Sequence, residues 1–348
     1  MSLAAKYAPD QNYKNKDFFN AYFNVASKIF DYNRKEYRQL LSAMRKALNI
    51  VEVKMSANRW DRINFENVPS VAHKNYRKAF GKHQPDRYIQ YLNAVKSGEK
   101  KINAKVLTPV DVVKQYIDEA GNFKVYGIDE TLEELWKNLP GKVESNVLPI
   151  ADTSSSMSGI PMLVSIALSI FCAQRSEGAF KNEVISFNDN PMFHSLEKCK
   201  TLRDCITELK KMKWGGSTSI TNTFFKLLET AKKNKIKQEE MPKFILLISD
   251  MEWNFSSGRN ETPLQEIEKE FNDSGYLLPT LIMWDVRHGE QKSYPSQDKQ
   301  GIFQISGYSN SVLNYVWAVM NGTSLDVVVE ILNSHRYSFV DDLLYFKS

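Results

Sequence analysis

The stretch ADTSSSMSG, residues 151–159, puts a carboxylate and a run of hydroxyls directly after the apolar run NVLPI. In a turn that leaves a strand, alternate residues share a side, so Asp152, Ser154 and Ser156 can converge while Thr153 and Ser155 point away. Two distant segments carry matching groups. The glycine-rich loop in WGGSTSITNTF supplies Thr218 just before a helix, and ILLISD ends in Asp250. Three hydroxyls and two carboxylates are hard oxygen donors. They suit a small divalent cation, Mg²⁺ first, with Mn²⁺ or Ca²⁺ as alternatives. A polar turn in which Asp152 merely caps a helix is the other reading these residues allow.

Catalytic readings of the same residues lack parts. A phosphoaspartate mechanism wants a second carboxylate two positions after the first, and Ser154 stands there. SSMSG lacks the first glycine of a G-x-S-x-G elbow, and the nucleophile would need a base such as His194 or His288 brought from afar. WGGSTS is not a G-x-x-x-x-G-K-[ST] phosphate loop. The expectation is a protein that binds rather than an enzyme, with a metal-assisted hydrolase as the remaining alternative.

These groups need a scaffold, and the chain changes character along its 348 residues. Up to about residue 145 the apolar periodicity is helical. In YRQLLSAMRKALNIVEV, Tyr37, Leu40, Leu41, Met44, Leu48 and Val51 line one face; in DETLEELWKNL, Leu132, Leu135, Trp136 and Leu139 do so before Pro140. Thr108 reads as the cap of a helix that follows NAKVL. The turn-rich PGKVESN, 140–146, marks the boundary between a helical domain, 1–145, and a second domain, 146–348. There, strands are predicted at NVLPIAD, 183–188, 243–250, 277–286 and 301–306, with helices at 160–175, 201–211, 221–232 and near 263–273. Continuous apolar strands separated by amphipathic helices specify a doubly wound, mainly parallel α/β sheet. Such sheets gather ligands at the carboxyl ends of their strands, where Asp152 and Asp250 lie.

Hydrophobic content of 42% with 25% charged residues is that of a globular protein. The longest apolar run, IPMLVSIALSIFCA, is too short and too serine-rich to cross a bilayer, and the N-terminus lacks a secretory signal's apolar core. No membrane association and a cytoplasmic location are expected. Cys172, Cys199 and Cys205 have no metal-ligand spacing.

The net charge of +5 conceals a gradient: residues 1–105 hold 21 Lys+Arg against 9 Asp+Glu. Aromatics alternate with these cations, as in Tyr32, Arg34, Lys35, Tyr37 and Arg38, then Lys74, Tyr76, Arg77, Lys78 and Phe80, then Lys82, Arg87 and Tyr88. Cations that neutralise phosphates beside rings that stack on bases would hold single-stranded or structured RNA. A helical core that buries its rings would produce the same pattern.

The strand, D-x-S-x-S, the G-x-S-T loop and the later strand ending in aspartate resemble a von Willebrand factor A domain with a metal-ion-dependent adhesion site. The resemblance implies that Ser154 and Ser156 coordinate the cation directly, Thr218 directly or through water, and Asp152 and Asp250 mainly through water. It implies a von Willebrand A, Rossmann-like fold and an open coordination position that accepts an acidic group from a protein partner. Two departures stand out: Ser155 replaces the usual glycine within D-x-S-x-S, and Asp250-Met251-Glu252 replaces Asp-Gly. MSANRWDRINFENVPSVAHKNYRKAF, DTSSSMSGIPM, SDMEW and GIFQISGYS are similar to an uncharacterised domain-of-unknown-function family of plants, fungi and large DNA viruses. A more distant similarity is to Ro autoantigen proteins, which join an RNA-binding helical (TROVE) part to an A domain and so imply the RNA-binding alternative.

Overall fold

The structure is a computed structural model and describes residues 8–9, 14–48, 50–141, 145–251, 263–287, 302–308, 312–313, 316–317 and 320. A helical N-terminal region precedes a mainly parallel α/β sheet. By compactness the chain divides into Met1–Asn103 and Ala104–Ser348.

The first unit contains α1 (Lys16–Phe30), α2 (Arg34–Ala47), α3 (Val51–Ser56), α4 (Ser70–His83) and α5 (Pro85–Lys96). Asn33 opens α2 with a capping box closed by Glu36, which satisfies donors at the helix start. The predicted continuous face from Tyr37 to Val51 is divided between α2, which ends at the Leu48 cap, and α3. Tyr37 and Leu41 bury against Phe19, Phe23 and Ala26 of α1. Around α4 and α5, Phe65, Phe80, Tyr88 and Tyr91 surround His73, whose ring is fully buried.

In the second unit, α6 (Pro109–Tyr116) and α7 (Glu130–Lys137) come first. Then follow β1 (Val147–Asp152), α8 (Ile160–Arg175), β2 (Glu183–Phe187), β3 (Phe193–Ser195), α9 (Leu202–Leu209) and α10 (Ile220–Asn234). The unit continues with β4 (Phe244–Ser249), α11 (Pro263–Asp273), β5 (Thr280–Asp285) and β6 (Ile302–Ser306). The six strands lie in the order β3-β2-β1-β4-β5-β6. Neighbours are parallel except β2 and β3. This is the doubly wound arrangement read from the sequence, plus one short antiparallel edge strand. β3 was not predicted, because three partly exposed residues carry no periodic signal.

All six residues of β1 are buried, as a strand covered on both faces requires. On one face Ile150, Leu148, Leu247 and Met283 pack with Phe224 and Leu228 of α10 and Phe271 of α11. On the other lies α8, buried at every position from Leu163 to Ala173. A helix buried all round must be covered on its far side too, and α6 packs against it. Trp136 of α7 donates to Gln174 at 2.8 Å, and Glu133 accepts the Leu202 N–H of α9 at 2.7 Å. The helices α6 and α7 therefore pack with the second unit. Among the described residues, no helix is long and apolar enough to cross a membrane.

Candidate metal centre

β1 and β4 are adjacent and parallel, with Ala151 opposite Ile248. β2 lies beyond β1 on one side and β5 beyond β4 on the other, so crossovers leave this pair in opposite directions and open a crevice at its carboxyl edge. Asp152 is the last residue of β1, and Asp250 follows the last residue of β4.

Asp152 is buried and organises the turn. One carboxylate oxygen accepts the Ser154 N–H at 2.8 Å, and the other accepts the Ser249 hydroxyl, tying the two strand ends together. Burial pushes its carboxyl pKa up to about 6, opposed by the Ser249 and Ser154 donors and assisted by the nearby charge of Asp250. The Ser154 and Ser156 hydroxyl oxygens lie 2.9 Å apart, both part-buried, while Ser155 is exposed between them. Gly159 then has φ 92° and ψ −136°, a conformation that side chains resist, and Pro161 lies in the first turn of α8.

The glycine loop is held against this turn. Gly215 N–H donates to the Thr153 carbonyl at 2.5 Å, the Asn188 side chain donates to the Thr153 hydroxyl at 3.3 Å, and Ser217 donates to the Asp189 carboxylate. Thr218 is half-buried three residues beyond Gly215, immediately before the Ser219 cap of α10. Its hydroxyl makes no hydrogen bond among the described residues. Asp250 has a fully buried side chain, with Oδ2 3.3 Å from the Arg287 guanidinium. That guanidinium also donates to the Ser156 carbonyl at 3.0 Å. Met251 has φ 58° with a buried side chain, and its N–H donates to Ser249 Oγ at 3.0 Å. A left-handed backbone is uncommon at a residue other than glycine. Glu252 lies outside the described residues.

The donor set fits a small divalent ion. Two neighbouring ligands of octahedral Mg²⁺, each about 2.1 Å from the metal, stand about 3.0 Å apart; the Ser154 and Ser156 hydroxyls, hydrogen-bonded to each other at 2.9 Å, are close enough to share such an ion in place of that bond. Asp152, Ser154, Ser156 and Asp250 form one connected cluster through Ser249 and Arg287, and the Gly215–Thr153 bond holds the loop that carries Thr218 against the same turn. Ser249 and Arg287 belong to no motif in the sequence. Ser249 gains meaning once β4 is placed beside β1; nothing near Arg287 in sequence marks it. Of the candidate bases, His194 sits on the edge strand two strands from β1, 3.9 Å from Glu208, and His288 lies outside the described residues.

The cations proposed for RNA separate into two groups. Arg34, Lys35, Arg38, Lys78, Lys82 and Arg87 are exposed. Lys74 and Arg77 are buried, Arg77 donating to the Lys74 carbonyl at 2.6 Å, so their charges do not lie on a surface that phosphates could reach. The interleaved Tyr37, Phe80 and Tyr88 are likewise core residues. Arg87 is already engaged, donating to the Ile63 and Trp60 carbonyls and lying over the Phe65 ring.

Residues 2–146 match a family described as a domain of unknown function (DUF2828), and residues 146–331 match a second, also described as a domain of unknown function (DUF7788). The uncharacterized protein L728 of Acanthamoeba polyphaga mimivirus is 28% identical over 365 residues, spanning 96% of this chain. The chain spans 61% of that relative's length. Among solved structures, the Ro (RSR) protein of Deinococcus radiodurans aligns over 92% of this chain and 73% of its own, with 14% identity and a TM-score of 0.44. Proximal thread matrix protein 1 of the mussel byssus, solved with a zinc-occupied metal-ion-dependent adhesion motif, aligns over 54% and 48%, with 16% identity and a TM-score of 0.33. Manganese-loaded TRAP protein of Plasmodium vivax aligns over 50% and 73%, with 14% identity and a TM-score of 0.32. With more than half its length matched, the chain belongs to the DUF7788 family.

Proposed function

We propose that the second unit is a non-enzymatic, divalent-metal-dependent binding module that takes an acidic group of a protein partner onto its bound cation. The observation that carries this reading is the convergence of the Ser154 and Ser156 hydroxyls, hydrogen-bonded to each other at 2.9 Å, on a turn that the buried Asp152 holds at the carboxyl edge of the sheet. Mg²⁺ is the ion the donors favour, with Mn²⁺ and Ca²⁺ as alternatives. When bound, the ion supplies a directional electrostatic contact to an incoming oxygen. Asp152 orients the turn, Thr218 adds a hydroxyl at the rim, and Asp250 contributes buried negative charge. His194 sits two strands from β1, so no described histidine stands beside Ser154 or Ser156 as a base, which supports binding over a serine-based hydrolase, and a cytoplasmic setting is part of the same proposal.

Calorimetric titration with Mg²⁺ and Mn²⁺ tests the centre. The Ser154→Ala/Ser156→Ala double variant should bind at least about tenfold more weakly, a loss near 1.4 kcal/mol or more, with its far-ultraviolet circular dichroism unchanged. Equal affinity would refute the assignment. Turnover of a phosphoester in Mg²⁺ that disappears in Asp152→Ala would favour the hydrolase.

A second reading, RNA binding by the first unit, is favoured by one observation. Trp60 and the exposed His83 stack face to face, with ring centroids 4.0 Å apart and planes 4° from parallel, beside Lys82. Such a platform suits an unpaired base. The neighbouring groove is mixed in sign, since Asp61, Glu66 and Glu99 line it together with Arg62, Arg87 and Lys100. Under this reading Lys78→Glu and Lys82→Glu weaken capture of a labelled single-stranded RNA, and Asp250→Ala does not.

A further inference from the structure

The second unit carries a cation of its own at the edge of the metal centre. β5 lies beside β4, with Asp285 opposite Ser249, so the turn after β5 emerges at the same sheet edge as Asp250. Arg287 stands in that turn, its N–H donating to Asp285 Oδ1 at 2.8 Å, which fixes the direction in which the chain leaves the strand. From there a single guanidinium nitrogen reaches both loops of the centre, 3.3 Å from Asp250 Oδ2 and 3.0 Å from the Ser156 carbonyl oxygen. The Asp250 side chain is fully buried, while that of Arg287 is 33% exposed. The carboxylate is therefore fixed in the protein, and its counter-charge sits on a long side chain with a route to solvent.

We infer that Arg287 is a built-in brake on cation binding, occupying Asp250 until a divalent ion replaces it or binds against its charge. The inference rests on the metal-binding reading above and adds the residue that regulates that site. Its physical basis is charge balance. Asp152 and Asp250, when ionised, present two negative charges to the crevice, and the guanidinium offsets one of them. An arriving divalent ion meets like charge across a part-buried site, where repulsion at contact range is poorly screened. If Arg287 withdraws, the centre with its ion is neutral. If it remains, the centre carries one net positive charge, and an acidic partner group is attracted by both cations. In either case Arg287 weakens intrinsic ion affinity.

The test is Mn²⁺ titration of the full chain, followed by the electron paramagnetic resonance signal of free Mn²⁺, for the wild type, Arg287→Gln and Arg287→Lys. Removing the charge should tighten binding by about ten- to a hundredfold, whereas Arg287→Lys, which keeps the charge, should stay within about threefold of the wild type. Arg287→Met, which keeps the aliphatic stem, replaces the glutamine variant should that variant unfold by circular dichroism. Unchanged or weaker binding on loss of the charge overturns the brake while leaving the metal centre standing. Absence of binding by the wild type and by the folded charge-removed variant overturns the brake and the metal reading together.

Discussion

Single residues reveal their roles here by what surrounds them. His73 sits among Phe80, Tyr88 and Tyr91 with neither ring nitrogen hydrogen-bonded among the described residues. Burial pushes its pKa down from 6.5 to about 3, so the folded protein holds it neutral through the mildly acidic range. Between those two values the unfolded chain takes up a proton that the folded chain refuses. The stability associated with neutral His73 is complete above pH 6.5 and is lost as the pH falls. From pH 7 to pH 5 the wild type should lose about 2 kcal/mol more than His73→Leu, measured by urea denaturation at both values. Parallel curves for the two proteins would show that the histidine is not the acid-sensitive group. Met251 shows a different cost at this scale: its left-handed backbone is tolerated because its side chain fills the core beneath the crevice.

Elements are set by local signals and then used by the core. Thr108 has the type and place of a helix cap, and the structure completes the motif. Its hydroxyl accepts the Asp111 N–H at 3.1 Å while Asp111 accepts the Thr108 N–H at 3.1 Å, and Pro109 occupies the first turn of α6. This cap matters beyond α6, because the Val112, Val113 and Tyr116 face that it starts is fully buried and α6 covers α8, which in turn packs on β1. Thr108→Ala should destabilise the protein by about 1 kcal/mol, seen as a lower denaturation midpoint at unchanged slope. A changed slope would instead indicate that α6 had detached. How much of this level was legible depends on the kind of signal. Caps, prolines and apolar faces act within a few residues and were readable; the edge strand β3 exists because β2 offers it a partner, which no local pattern reports.

At the scale of the molecule, charge and composition divide more simply than structure does. Positive charge is concentrated before residue 105, yet part of it, at Lys74 and Arg77, is buried. The exposed remainder is what an RNA-binding reading must use. If it binds single-stranded RNA through three phosphate contacts, the logarithm of the association constant should fall against the logarithm of salt concentration with a slope of about −2, measured by fluorescence anisotropy. A flat salt dependence would remove electrostatic RNA binding from consideration and leave the second unit as the functional part. Compactness divides the chain after Asn103, whereas the two family matches meet at residue 146. The segment holding α6 and α7 is acidic and helical in sequence, and it packs with the second unit because α8 is buried at every position from Leu163 to Ala173 and needs cover beyond the sheet.

From sequence alone, the alternation of apolar strands and amphipathic helices determined a doubly wound sheet. The side-chain types at Asp152, Ser154, Ser156, Thr218 and Asp250 determined a hard-oxygen donor set. Both are properties of short segments, whose polarity and stereochemistry do not depend on distant partners. Tertiary structure alone decided that Ser249 would clamp Asp152, that Arg287 would reach Asp250, and that Lys74 and Arg77 would leave the surface. Each depends on strand order, register or helix packing, which bring together residues that only the burial of a shared core makes neighbours.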